Sequence, residues 1–200
     1  MLLLFGESVI RRVPKMSVAI LAVQMAGSIA GCDREKRDAE QAGQMGAEKS
    51  LDHFAYQLDR SHKGKAAPAA AFRGPDDAAV TLADFRGRPL LINLWATWCA
   101  PCVAEMPTLD ALAGDSGESM TVIAVAQDLQ GAAVVDPWFQ KAGLKSLQPY
   151  LDPKNGLLDA YNAALPTSIY YDADGREIWR IVGAIDWQGA EAKALLAETK

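Results

Sequence analysis

The chain has 200 residues, 50% of them hydrophobic and 22% charged, the composition of one ordinary globular core with some chain to spare. A formal net charge of -5 gives it no electrostatic reason to bind nucleic acid. The remainder is more acidic still once residues 1–31 are set aside, because they hold Arg11, Arg12 and Lys15 against Glu7.

That N-terminal stretch has the layout of an export signal, a basic cluster followed by an uncharged apolar run from Met16 to Gly31. The run is shorter than the roughly 20 residues that span a bilayer comfortably, so a cleaved signal fits better than a permanent span. Ile29-Ala30-Gly31-Cys32 resembles a bacterial lipoprotein signal, which implies lipidation of Cys32. An uncleaved signal anchor and an ordinary signal with an incidental cysteine are the alternatives. Asp33, directly after Cys32, resembles the residue that keeps such lipoproteins in the inner membrane. Residues 32–66 are polar and read as a tether, with Leu51, Phe54 and Leu58 marking one short amphipathic helix. The folded domain is expected over residues 67–200.

Within it, Ala69–Phe72 and Ala78–Leu82 flank the turn signal Gly74-Pro75-Asp76-Asp77 and read as a β-hairpin. Leu90–Trp95 is an unbroken apolar run of the length of a strand buried on both faces. Val103, Met106, Leu109 and Leu112 then recur every three residues, one face of a helix that begins at Pro101, contains Pro107 and ends at Gly114. Met120–Ala126 reads as a second buried strand, Pro137–Gly143 as a helix and Leu147–Leu151 as a short strand. Gly156–Ala163 is a helix, and Thr167–Tyr171 and Glu177–Val182 are strands joined by the turn Asp172–Gly175. Gln188–Thr199 is a last helix, with Leu195 and Leu196 towards the core. The alternation predicts an α/β fold with a parallel centre and an antiparallel end.

The chemistry is carried by Trp98-Cys99-Ala100-Pro101-Cys102, which lies between a strand and a helix. At a helix start, unpaired backbone N–H groups and the dipole lower the pKa of the first thiol, so Cys99 is the attacking thiolate. Cys102, one turn on, resolves the mixed disulfide and closes a Cys99–Cys102 bond. Pro101 suits the first turn, where no N–H is missed. A zinc site would need a second ligand pair, and the sequence has neither further cysteines beyond residue 102 nor a His after residue 62. No cofactor is required.

Asn93–Cys102, then Glu105-Met106-Pro107, then Leu165-Pro166-Thr167, together resemble the TlpA/ResA type of thioredoxin-like oxidoreductase, over roughly residues 67–198. The resemblance implies a thioredoxin-like fold whose mixed sheet is flanked by helices, with a helix–strand insertion near Leu129–Leu151. It also implies that Pro166 is cis and lies beside the dithiol, with Leu165 and Trp98 lining the client groove. Glu105 is implied as the acid/base; the alternative is a carboxylate on the helix surface. Asn93 stands where thioredoxins carry a buried Asp. Neither the Cys-x-x-x-Cys-Pro run of Sco-type copper proteins nor a peroxidatic cysteine motif is present. Clients would be protein disulfides of cytochrome c maturation or copper-site assembly, on the periplasmic side of the inner membrane. Electrons would come from a membrane donor of the DsbD or CcdA type. A thiol oxidase is the opposite direction of the same chemistry.

Overall fold

The computed structural model describes residues 54–198; the expected export signal, Cys32 and the tether as far as residue 53 lie outside the described residues. Its frame is one mixed sheet of eight strands. These are β1 (Tyr56–Asp59), β2 (Phe72–Arg73), β3 (Ala79–Val80), β4 (Leu90–Trp95), β5 (Thr121–Ala126), β6 (Pro149–Leu151), β7 (Thr167–Tyr171) and β8 (Glu177–Gly183). They lie in the order β1-β8-β7-β4-β5-β6-β2-β3. Strands β4, β5 and β6 are parallel, and every other pairing is antiparallel. Helices α1 (Ala100–Ser116), α2 (Ala132–Ala142), α3 (Gly156–Tyr161) and α4 (Ala190–Leu196) complete the domain.

Alternation along β4 divides the core into two layers. Leu91 and Trp95 pack with Met106 and Leu109 of α1, Val135 of α2 and Leu195 of α4. Leu90, Ile92 and Leu94 pack on the opposite face with Leu157 and Tyr161 of α3 and with Phe72 and Leu82. The same period of two sends Asn93, a polar residue inside this apolar strand, to the α1 face.

The fold is the expected one, an α/β domain with a mixed sheet and a helix and strand, α2 and β6, in the central insertion. Several boundaries differ for identifiable reasons. The predicted hairpin contracts to two residues a side, because Leu82 begins a 3-10 helix, Leu82–Phe85, opened by a Thr81–Asp84 capping box. Helix α1 runs past Gly114 to Ser116, and Gly117 takes the positive φ of the helix end. Helix α2 starts at Ala132, ahead of the predicted Pro137, because Gly131 with φ 53 makes the entry turn. It ends as expected on left-handed Gly143.

The largest correction concerns residues 32–66. Tyr56–Asp59 is no part of a helix and no part of a spacer; it is the edge strand β1, paired with β8 from Tyr56↔Gly183 to Asp59↔Arg180. Tyr56 and Leu58 pack on the α1 side of the core. The pairing depends on Gly183, whose φ is +109 and where a Cβ would come within 2.2 Å of the Ala55 carbonyl oxygen. The folded domain therefore begins no later than Tyr56.

Candidate active site

Strands β4 and β5 end together, with Trp95 opposite Ala126, and the chain leaving β4 turns directly into α1. Cys99 is the N-cap of α1, in an extended conformation. Its N–H donates to the Ala96 carbonyl and its own carbonyl accepts from Val103 N–H, the first bond of the helix. The sulfur thus stands over the first turn, where the free N–H groups and the dipole stabilise a thiolate. Cys102, one turn along, is disulfide-bonded to it. Cys99 is 6% exposed and Cys102 wholly buried, so an outside sulfur can reach Cys99 alone. Pro101 is exposed in the first turn and forfeits no hydrogen bond there.

Trp98, 70% exposed, and Leu129, 68% exposed, are the only large hydrophobic side chains left in solvent among the described residues. They follow Thr97 and Asp128, which tie the two loops together. Asp128 accepts from the Thr97 N–H at 3.0 Å and from its hydroxyl at 2.6 Å. Trp95, by contrast, is buried with its ring centroid 4.6 Å from that of Trp138 and 5.8 Å from that of Phe139. It anchors α2 beneath the site and does not frame the opening.

Glu105 lies three residues after Cys102 on α1 and has no exposed surface, which removes it from the helix surface. Asn93 Nδ2 donates to its Oε1 at 2.8 Å, and the Ile185 N–H donates to its Oε2 at 3.2 Å. Burial pushes its pKa up from an ordinary 4.5 to about 7, against the two donors and the Trp187 indole N–H, which favour the carboxylate. The indole is the weakest of the three and closes no hydrogen bond. Asn93 Nδ2 also donates to Ser168 Oγ at 2.9 Å, its direct partner across β4 and β7.

The Leu165–Pro166 peptide is cis. Pairing of Leu94 with Thr167 puts it at the same sheet end as the dithiol. Leu165 is half-buried against the cluster that contains Cys99 and Cys102. Pro166 is buried, and its carbonyl accepts from Gly183 N–H at 2.9 Å. The structure thus brings Trp98, Cys99, Pro101, Cys102, Glu105, Leu165 and Pro166 to one end of the sheet. Sequence reasoning missed the service roles of Ser168, Asp128 and Ile185. Only Asp128 carried a signal, as a lone acid directly after a buried strand.

A reachable sulfur with a buried partner thiol in bonding distance can do one thing well, two-electron exchange with another disulfide. The chain is in this sense a thioredoxin-like thiol:disulfide oxidoreductase. It belongs to the Redoxin family, whose model matches residues 62–196. It is 31% identical over 132 residues to the thiol-disulfide oxidoreductase ResA of Bacillus thuringiensis (strain Al Hakam), covering 65% of this chain and 75% of that one. Its fold is similar to the exposed lipoprotein thioredoxin of Streptococcus pneumoniae, with TM-score 0.56, 25% identity and coverage of 64% and 98%. A Chlorobium tepidum chain described as a thiol:disulfide interchange protein DsbE shares the fold, with TM-score 0.60, 24% identity and coverage of 70% and 96%.

Proposed function

We propose that the protein is a disulfide reductase working outside the cytoplasm, with Glu105 as the acid/base of the dithiol. The observation that carries the reading is the carboxyl of Glu105, fully buried one turn from the resolving Cys102 and with a pKa of about 7. In the reduced enzyme the Cys99 thiolate attacks a client disulfide, forming a mixed disulfide and releasing one client thiolate. Glu105 takes the proton of Cys102, whose thiolate attacks Cys99 Sγ. The Cys99–Cys102 bond forms, the Cys99–client bond breaks, and the second client sulfur leaves with the proton from Glu105. The client gains two electrons and the dithiol loses two. Trp98, Pro101, Leu165 and Pro166 bind the client chain around Cys99.

The export signal at residues 1–31 and the cysteine after it support a lipid anchor at Cys32 and a position on the periplasmic side of the inner membrane. An exported reductant must be recharged across that membrane, because the periplasm is kept oxidising, so the donor is a membrane protein of the DsbD or CcdA type. The clients are disulfides of cytochrome c maturation or of copper-site assembly.

The test is the reduction potential of Cys99–Cys102 in the full chain, since a fragment cut near residue 60 would lack β1. A potential well below that of DsbA, about -120 mV, is expected; a value near it makes the protein an oxidant and overturns the reading. Mass spectrometry of membranes checks Cys32, where an intact N-terminus excludes the lipid.

A further inference from the structure

Glu105 is surrounded by donors. Asn93 Nδ2 faces Oε1, the Ile185 N–H faces Oε2, and the remaining contributor, Trp187, offers an indole N–H. No charged side chain among the described residues contributes to its electrostatics. That shell suits a carboxylate. A protonated Glu105 carries an O–H that needs an acceptor, and a buried O–H aimed at an N–H loses its hydrogen bond and strands both groups.

Of these neighbours only Asn93 can change from donor to acceptor. The backbone N–H of Ile185 is fixed, and an indole nitrogen donates only. A half-turn of the Asn93 amide exchanges Oδ1 and Nδ2 in nearly the same space. Asn93 Oδ1 is buried and has no hydrogen-bond partner, so the exchange breaks no bond at the far end of the amide, where its cost is the two Nδ2 hydrogens left without an acceptor. At the near end Nδ2 serves two oxygens, Glu105 Oε1 at 2.8 Å and Ser168 Oγ at 2.9 Å. Both can reverse. A protonated Glu105 donates, and a serine hydroxyl donates as readily as it accepts, which matches the two lone pairs of Oδ1.

We propose that Asn93 is a positioning residue that reverses its side-chain amide when Glu105 takes up a proton, while the Ser168 hydroxyl turns from acceptor to donor. The inference rests on the reading of Glu105 as the acid/base, and it adds a device that keeps the group hydrogen-bonded in both protonation states. The proton taken from Cys102 then resides on Oε1, in a bond to Asn93 Oδ1, until the departing client thiolate claims it. An aspartate at this strand position could not do this, because it would bring a second titrating acid against the first.

The experiment is NMR of the full-length oxidised protein in detergent, following the Glu105 carboxyl carbon and the Asn93 side-chain amide from pH 5 to 9. Cross-relaxation from the two Asn93 amide hydrogens to the Ser168 β-hydrogens is expected above the Glu105 midpoint and lost below it. It should persist at all pH values in Glu105→Gln or vanish at all, without a transition. Cross-relaxation that persists in the wild type while Glu105 titrates overturns the amide reversal and leaves the acid/base reading standing. A Glu105 carboxyl that does not titrate in this range overturns the acid/base reading itself. Asn93→Leu gives a second check. A fixed amide helps only the carboxylate, so its loss would raise the Glu105 midpoint by about one unit or more. A reversing amide helps both states, so the midpoint moves by less than about half a unit.

Discussion

Replacing Glu105 by glutamine should change how the stability of the domain depends on pH, and the sign follows from burial. The folded protein holds the Glu105 proton up to about pH 7, whereas the unfolded chain releases it near 4.5. Between those values the native state binds the extra proton, so stability falls as pH rises. The contribution is fully present below the unfolded value and is gone above the folded one. A difference of this size corresponds to about 3 kcal/mol, undiscounted because the side chain has no exposed surface. Glutamine keeps the shape and carries no charge at any pH. Measured by urea unfolding of the oxidised proteins, the stability of Glu105→Gln relative to wild type should rise by about 3 kcal/mol from pH 4.5 to 7.5, then level off. At roughly 2–4 °C per kcal/mol, thermal melts should show the same divergence. A difference between the two proteins that stays flat over this range would refute the buried carboxyl.

Five other substitutions probe the site and its supports. Cys102→Ser should leave Cys99 able to attack and unable to resolve, so client proteins accumulate as mixed disulfides on non-reducing gels, while Cys99→Ser accumulates none. Asp128→Ala removes both bonds that hold Thr97 and should cost on the order of 2–4 kcal/mol, with slower exchange at Cys99, read by denaturation and by insulin reduction. Asp110 accepts from the N–H groups of Lys145, Ser146 and Leu147, which together with Lys145 outweigh its partial burial and hold its pKa below the ordinary value. Its contribution is present at neutral pH and lost as acid protonates it, so Asp110→Asn should be less stable than wild type at pH 7, with the gap closing below about pH 4. Arg180→Met leaves Glu177 buried without its 2.6 Å partner and should cost about 3–5 kcal/mol in urea unfolding.

The centre of the fold was legible because its signals are local. Leu90–Trp95 is apolar without interruption since β4 is buried on both faces, and Cys99 through Met106 carry a helix start within a few residues. Strand β1 was hidden for the opposite reason. Four residues with only Tyr56 and Leu58 apolar make no periodic signal, and Phe54 and Leu58 fit a helical spacing equally well. What makes the strand is β8, more than 120 residues away and exposing an unpaired edge at Gly183. The partners of Glu105 were hidden likewise. Asn93 is 12 residues from it and Ile185 is 80, and only the register of β4 against β7 sets Ser168 beside them.

In the acid/base role proposed for Glu105, the incompleteness of that shell is what suits it. A buried carboxyl with no donors would stay protonated and could not accept the Cys102 proton; one beside an arginine would stay ionised and could not return it. With the Asn93 amide in its donor orientation, desolvation is opposed by that amide, one backbone N–H and an indole that stops short of a hydrogen bond, and the balance falls at about 7. An acid/base that must work in both directions within a single exchange needs its two states close in free energy at the working pH. Drawing the Trp187 indole into full contact would stabilise the carboxylate and lower the value, making proton uptake harder and release easier. Helix α1 and the chain after β8, which carry Glu105 and Trp187, are held in register by Thr108, whose hydroxyl accepts from the backbone N–H of Trp187 at 3.2 Å. Burial sets the proton affinity on which the proposed resolving step depends, and the position of that one loop against α1 adjusts it.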